Sequence, residues 1–183
     1  VSSDDEEILK LAKNFNLFSF KRPGNIATDV TSMSKVIDHF INNLLVEECF
    51  ERTHIVLLQP TSPLRDGEDI DKAINLYNTS SKNCLISVRE SKDVIQKSFY
   101  IEQECFLTPV FNEKEAHKRR QDLKKTCYPN GAIYIFSVKS FIENKRIPFN
   151  CSIPFFMNKF KSIDIDTLDD IHYLEYIWSL KNE

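Results

Sequence analysis

The chain has 183 residues, of which 42% are hydrophobic and 28% are charged, and its formal net charge is -3. This length fits a single domain with a sizeable core. The near balance of acidic and basic residues argues against a general nucleic-acid-binding protein. No apolar run approaches the roughly 18–20 residues that cross a bilayer, and the acidic N-terminus is unlike a secretory signal. Residues 1–183 are therefore predicted to form one soluble domain without nucleic-acid or membrane partners.

Cysteine and glycine usage narrows the chemistry further. The five cysteines are widely spaced and form no C-x-x-C pair, which predicts mostly reduced thiols and a cytoplasmic location. Only three glycines occur, so these residues contain no glycine-rich phosphate loop of the Walker or dinucleotide type. A phosphate cradle must come from elsewhere.

Hydrophobic periodicity predicts alternating helices and strands. A first helix is predicted over residues 4–15 and a second over 32–48, with Ser32 as a possible N-cap. The apolar run 54–60 predicts a strand buried on both faces. It is followed by a helix over 68–77, strands over 84–89 and 131–136, and a short helix near 139–144. Strict alternation predicts a last strand over 162–166 before a helix over 168–180, so the fold class is α/β with a mainly parallel sheet flanked by helices.

Two segments, 93–128 and 144–161, fit this rhythm poorly. Long irregular stretches in compact domains are usually functional, so both are candidates for active-site loops or for an excursion that contacts another subunit. The second segment contains Phe149, Phe155 and Phe156, more aromatic surface than a solvated loop normally carries. It is predicted to form a subunit interface.

Ligands of open parallel sheets bind beyond the carboxyl ends of the strands. The first such end, residues 59–65, combines an amide (Gln59), two hydroxyls (Thr61 and Ser62) and a guanidinium (Arg65) between two prolines. These groups can orient a polyhydroxylated or anionic ligand through hydrogen bonds. The alternative is a proline-rigidified turn at the start of a helix.

Asp164 and Asp166 stand two residues apart on the predicted last strand, so both carboxylates project from one face. This arrangement suits a Mg²⁺ ion, which is usually held by one or two carboxylates together with substrate phosphates. Alternatively, Asp166 and Thr167 cap the last helix. Both roles can coexist.

Four other side chains are weaker candidates from spacing alone. Arg22, Arg120 and Lys97 can contact an anion or a base, or simply be solvated. Tyr134 lies within a predicted strand, where a tyrosine is more often part of the core than a ligand. Up to this point the residues indicate an α/β domain with a possible anion and metal site.

Five blocks together resemble the signature blocks of the acylneuraminate cytidylyltransferases, or CMP-sialic acid synthetases, in the same order and at similar separations. They are VSSDDEEI (1–8), RPGNIATD (22–29), VLLQPTSPLR (56–65), PNGAIYI (129–135) and SIDID (162–166). The resemblance implies a Rossmann-like nucleotide-diphospho-sugar transferase fold with a dimerisation excursion. It also implies a homodimer that transfers CMP from CTP to the anomeric oxygen of a nine-carbon α-keto sugar acid and releases pyrophosphate.

The resemblance also assigns roles to individual residues. Arg22 and the backbone near Ser32 would contact cytosine, Asp164 and Asp166 would hold Mg²⁺, and Arg120 would approach the phosphates or the sugar carboxylate. The sugar acid would be bound by Gln59, Thr61, Lys97, Asn130 and Tyr134.

The sequence departs from the family pattern in two informative places. The family opens with a strand and a phosphate-binding loop that residues 1–183 lack, so the isolated chain is expected to be a truncated form without turnover. Tyr128 stands where the sialic acid enzymes often have an arginine. Related acids (legionaminic, pseudaminic or the eight-carbon Kdo) are therefore alternative substrates, and a non-catalytic sugar-nucleotide-binding remnant is the alternative from another class.

Overall fold

A computed structural model describes residues 1–44, 50–91 and 93–181 of the chain. The helices are α1 (Glu6–Asn14), α2 (Met33–Leu44), α3 (Gly67–Asn78), α4 (Glu113–His117), α5 (Val138–Asn144) and α6 (Leu168–Lys181). The strands are β1 (Ser2–Ser3), β2 (Phe20–Lys21), β3 (His54–Leu57), β4 (Cys84–Glu90), β5 (Phe99–Ile101), β6 (Leu107–Pro109), β7 (Cys127–Ser137) and β8 (Ile153–Phe156). No helix in these described ranges is long and apolar enough to cross a membrane.

The chain divides into two compact units. The first unit comprises Val1–Ile55 and Phe136–Cys151, and the second comprises Val56–Ile135 and Ser152–Glu183. The interpretation of residues 1–183 as one domain stays a prediction.

In the first unit, local capping explains where α1 begins. The Asp5 carboxylate accepts hydrogen bonds from the amides of Glu7 (2.7 Å) and Ile8 (3.2 Å), which are left without partners in the first turn of a helix. β1 and β2 pair in parallel next to this helix. α2 begins one residue after Ser32, whose carbonyl accepts from the Lys35 amide at 3.0 Å. The part of the predicted second helix beyond residue 44 falls outside the described residues.

The second unit is built on most of a four-stranded sheet with the order β3-β7-β4-β8. β4 and β8 run parallel, with Leu85 opposite Ile153 and Val88 opposite Phe156. The core between this sheet and α3 consists of Ala73, Tyr77, Leu85, Ala132, Ile133, Ile135 and Met157. α3 starts with a capping box, in which the carboxylates of Asp66 and Asp69 each accept a hydrogen bond from the backbone amide of the other residue.

The strand predicted over residues 162–166 was wrong, because those residues are irregular and β8 takes the position beside β4. Ile153 and Phe155 of β8 pack against the core. Part of the aromatic segment 144–161 therefore belongs to the sheet rather than to a separate loop. Ile163 of the SIDID segment instead packs in a separate apolar cluster with Leu64 and Ile177.

The prediction that residues 54–60 form a strand buried on both faces was also wrong. β3 ends at Leu57 and is an outer strand of the four-stranded sheet, and its residues alternate between exposed and half-buried. Outer strands keep one face or edge open to solvent.

The segment 93–128 contains more regular structure than predicted. β5 and β6 form an antiparallel hairpin, with Tyr100 opposite Thr108, and α4 follows it. Six apolar side chains of this segment are exposed to solvent: Phe99, Tyr100, Ile101, Phe106, Leu107 and Phe111.

Candidate active site

The turn after β3 is held in a fixed shape by its own arginine. One terminal guanidinium nitrogen (Nη1) of Arg65 donates to the carbonyl oxygens of Gln59 (2.6 Å) and Ser62 (2.8 Å). Leu64 anchors the turn in a small apolar cluster with Ile163 and Ile177. The turn therefore presents Gln59 and Thr61 on a rigid backbone, and Arg65 serves this structure rather than a ligand.

Hydrogen bonds connect this turn to the segment that carries the two aspartates. The Ile165 amide donates to the Thr61 carbonyl at 2.8 Å. The Ser62 hydroxyl contacts both the Asn130 carbonyl (3.0 Å) and the Asp164 carboxylate (3.5 Å). Although 102 residues separate Ser62 from Asp164, the structure brings their side chains together.

Gly131 permits this convergence. Its φ angle is +73°, a left-handed conformation that residues with a Cβ atom rarely adopt. A Cβ atom here would lie 2.9 Å from Gln59 Oε1, 3.0 Å from Ser62 Oγ and 3.1 Å from Asp164 Oδ2. The side chains of Gln59, Ser62 and Asp164 can thus approach this closely only because Gly131 has no Cβ atom.

Asn130 lies beneath this cluster and is only 2% exposed. Its amide oxygen accepts a hydrogen bond from the Ser87 hydroxyl (2.6 Å), and its amide nitrogen donates to the Ser162 hydroxyl (2.9 Å). Both ends of the side chain are therefore used within the protein. These contacts make Asn130 a residue that positions β7 and the Asp164 segment, and they leave it little capacity for direct contact with a ligand.

A cavity of about 500 Å³ opens beside these residues. Three carboxylates and two cationic side chains line it: Asp164, Asp166, Asp170, Arg89 and Lys159. Tyr128 and Tyr173 add aromatic surface to the same cavity.

The structure separates the two alternatives for Asp166. α6 is capped by Thr167 and Asp170, because the Thr167 hydroxyl and amide both donate to the Asp170 carboxylate at 2.7 and 2.8 Å. These hydrogen bonds lower the pKa of Asp170. Only the backbone amide of Asp166 joins this cap, at 3.1 Å from Asp170, so its carboxylate is not used for capping.

Tyr134 is mostly buried within β7. Burial raises the pKa of its phenol, and the nearby Asp164 carboxylate raises it further. The hydroxyl therefore stays protonated at neutral pH and can serve as a hydrogen-bond donor next to Asp164.

Other predicted site residues lie elsewhere. Arg120 lines a neighbouring cavity of about 260 Å³ together with Asp93 and Phe156, and it is not among the residues around Asp164. Lys97 donates to the Ala116 carbonyl at 3.0 Å and holds α4 in place. Arg22 and Ser32 belong to the first unit.

Sequence reasoning missed Arg89 and Lys159. Arg89 stands at the carboxyl end of β4, and Lys159 follows the end of β8. The rule that ligands bind beyond strand ends would have identified both residues had it been applied to every strand.

Comparisons with known proteins show which proteins this chain resembles in sequence and in fold. No protein-family model matches the chain. The chain is 30% identical over 183 residues to an N-acylneuraminate cytidylyltransferase of Escherichia coli, which covers all of this chain and 42% of that protein. It is 27% identical to a pseudaminic acid cytidylyltransferase of Campylobacter jejuni and 28% identical to a CMP-N,N'-diacetyllegionaminic acid synthase of Legionella pneumophila, in each case over all of this chain and 78% of the relative.

The chain is thus similar along its whole length to acylneuraminate-type cytidylyltransferases. A solved structure of a CMP:2-keto-3-deoxy-manno-octonic acid synthetase complexed with CTP shares the fold of this chain, with a TM-score of 0.62 at 10% identity over 99% of this chain and 80% of that one. The α/β, Rossmann-like fold class expected from the sequence is thereby confirmed. The chain spans less than half the length of the Escherichia coli relative and about three quarters of the other two.

Proposed function

We propose that this chain carries the active site of a cytidylyltransferase, which transfers CMP from CTP to the anomeric oxygen of a nine-carbon α-keto sugar acid and releases pyrophosphate. The convergence of Gln59, Ser62 and Asp164 around Gly131, beside the cavity, is the observation that carries this proposal. The three relatives are named for N-acylneuraminic, pseudaminic and legionaminic acids, and these names support a nine-carbon acid as the substrate proposed here.

Asp164 and Asp166 fit the Mg²⁺ ion that such a reaction requires. Among the described residues, no group of three or more histidine, cysteine or acidic side chains could hold a metal. However, Mg²⁺ usually keeps several waters and takes only one or two protein carboxylates together with substrate phosphates. Asp164 and Asp166 line one cavity, and neither carboxylate serves as a helix cap. When bound there, the ion would offset negative charge on the phosphates.

The residues of the chain would act mainly by positioning. The attacking hydroxyl must approach the α-phosphate in line with the departing pyrophosphate, so placement and charge stabilisation account for most of the catalysis. Gln59 and Thr61, on the fixed turn, would orient the sugar acid. Tyr134 would donate a hydrogen bond beside Asp164, and Asn130 would hold the site in shape.

Arg22 is proposed to contact the nucleotide. Its Nε atom is buried and has no hydrogen-bond partner in the described part of the chain. Such an unpaired buried donor is costly unless a ligand satisfies it. Ser32, at the start of α2, would contribute backbone contacts to the same base, and Arg120 would meet anionic groups in its neighbouring cavity.

We also propose a homodimer formed through the hairpin β5–β6. Ile101 is 80% exposed and Phe106 is 66% exposed, and neighbouring apolar residues extend this surface. Contiguous apolar surface of this kind usually marks a protein–protein contact. The reaction is proposed to take place in the cytoplasm, as the widely spaced cysteines without a C-x-x-C pair predict.

The decisive experiment measures Mg²⁺-dependent pyrophosphate release from CTP by the full-length gene product, with a panel of eight- and nine-carbon keto sugar acids. Release with one nine-carbon acid would support the proposal and identify the substrate. Pyrophosphate release with the eight-carbon acid alone would show that the substrate is an eight-carbon acid and not a nine-carbon one. No release from folded protein with any acid would favour a non-catalytic sugar-nucleotide-binding protein.

A further inference from the structure

Arg89 and Tyr128 form a cation–π pair that lines the site. The guanidinium carbon of Arg89 lies 5.3 Å from the centroid of the Tyr128 ring. This is within the distance at which a cation is attracted to an aromatic face. Both residues line the cavity that also contains Asp164 and Asp166.

The charges of the cavity are arranged unevenly. Arg89 and Lys159 line a second, adjoining cavity of about 550 Å³, whereas Asp164, Asp166 and Asp170 line only the first. The two cationic side chains therefore stand where the two cavities meet. Glu90 and Asp93 are the acidic residues that line the second cavity.

Neither Arg89 nor Lys159 is occupied by an ion pair. Within residues 1–44, 50–91 and 93–181, no carboxylate lies within 4.0 Å of either charged group, whereas the nearby Lys161 contacts Asp66 and Asp69 at 2.6 and 2.8 Å. Lys161 is thus a structural cation. Arg89 and Lys159 keep their charges available for a ligand.

We propose that Arg89, oriented by Tyr128, binds the carboxylate of the sugar acid, with Lys159 as a second cation. This inference rests on the function proposed above. A guanidinium stacked on a ring keeps its N–H edges free, and those edges match a carboxylate through two parallel hydrogen bonds. Tyr128 would act as a positioning residue by limiting the conformations of Arg89.

Arg89 and Tyr128 come from two neighbouring strands of the sheet, β4 and β7. Their pairing sets where the cation stands relative to the aspartates that line the same cavity. Arg89 therefore becomes a determinant of which sugar acid fits.

The test compares Arg89→Gln with the wild-type full-length protein. The KM for the sugar acid should rise roughly 10- to 100-fold, the range expected for loss of hydrogen bonds to a charged group. The KM for CTP should change less than about 2-fold. Arg52→Gln, which removes an exposed arginine outside all these cavities, should leave both values unchanged.

A second readout separates recognition from a general defect. Calorimetry should show that the wild-type protein prefers the sugar acid over its C1 carboxamide, and that Arg89→Gln loses most of this preference. Tyr128→Phe should keep the wild-type KM because the ring remains, and Tyr128→Leu should raise it several-fold.

The outcomes distinguish the two proposals. If the wild-type protein turns over a sugar acid and Arg89→Gln has an unchanged KM and carboxylate preference, the role of Arg89 is overturned and the proposed function stands. If the wild-type protein neither binds nor turns over any sugar acid, both proposals are overturned.

Discussion

A Cβ atom on Gly131 would lie 3.1 Å from the Oδ2 atom of Asp164, closer than nearly all ordinary contacts of a Cβ atom. The same atom would crowd Gln59 and Ser62. The glycine at the middle of the PNG block therefore determines how closely the turn after β3 can approach the acidic segment.

We expect Gly131→Ala to lower both stability and activity. The left-handed backbone alone costs an alanine about 1–2 kcal/mol, and displacement of three oxygen-bearing side chains adds to that cost. Urea denaturation and pyrophosphate release measure the two effects. Gly67→Ala is the matched control, because nothing lies within 4 Å of its Cβ position, and it should be neutral or slightly stabilising. If Gly131→Ala and Gly67→Ala had the same stability and the same rate of pyrophosphate release, the proposed role of Gly131 would be wrong.

Asp166→Asn should reduce turnover by at least about 100-fold, the loss typical of removing one charged contact to a developing charge. The free energy of unfolding should change by less than about 0.5 kcal/mol, because Asp166 is exposed and its carboxylate caps no helix. Steady-state kinetics over a Mg²⁺ titration checks the first expectation. Asp169→Asn, an exposed aspartate in the first turn of α6, should retain turnover. Near-normal Mg²⁺-dependent turnover by Asp166→Asn would rule out the metal assignment.

Ile101→Lys should weaken self-association of the protein. A charge placed at the centre of the exposed apolar hairpin would have to be buried without a partner in a dimer. Sedimentation velocity over a concentration series measures the shift towards monomer. Val30→Lys adds the same charge to another apolar residue that is 92% exposed, outside the hairpin, and should not change association. A dimer as stable in Ile101→Lys as in the wild type would place the interface elsewhere.

Lys161→Met should reduce stability in a pH-dependent way. The hydrogen bond from Lys161, followed by that from the Asp69 amide, lowers the pKa of Asp66 to about 2, below the value of roughly 3.9 for an unfolded chain. A carboxyl with a depressed pKa in the folded state stabilises the fold above its unfolded pKa, and this contribution disappears as the pH falls through the folded value. The difference in unfolding free energy between wild type and variant should therefore be constant from about pH 5 to 8 and shrink between about pH 4 and pH 2.

Chemical denaturation at several pH values measures this difference. Lys10→Met, which removes an exposed lysine of α1, should show no such dependence. A constant difference between wild type and Lys161→Met down to about pH 2 would show that the Asp66 contact contributes nothing.

Local signals in the sequence determined most of the elements. The apolar run that forms β4 and the acidic caps of α1 and α3 act within a few residues, so the sequence predicts them without knowledge of the fold. The turn at residues 59–65 and the Asp164–Asp166 pair were also identifiable, because polar groups at strand ends and alternating aspartates are local patterns.

Tertiary structure decided which segments meet. Residues 162–166 alternate in a strand-like way, yet residues 153–156 take the place beside β4, where Ile153 and Phe155 pack against the core. Ile163 packs instead with Leu64 and Ile177, residues that lie far from it or in another element of the chain. The stacking of Arg89 on Tyr128 and the closure of three side chains around Gly131 join residues far apart in the chain. Spacing along a sequence does not give such distances, which depend on the strand order β3-β7-β4-β8 and on how the segments between the strands pack.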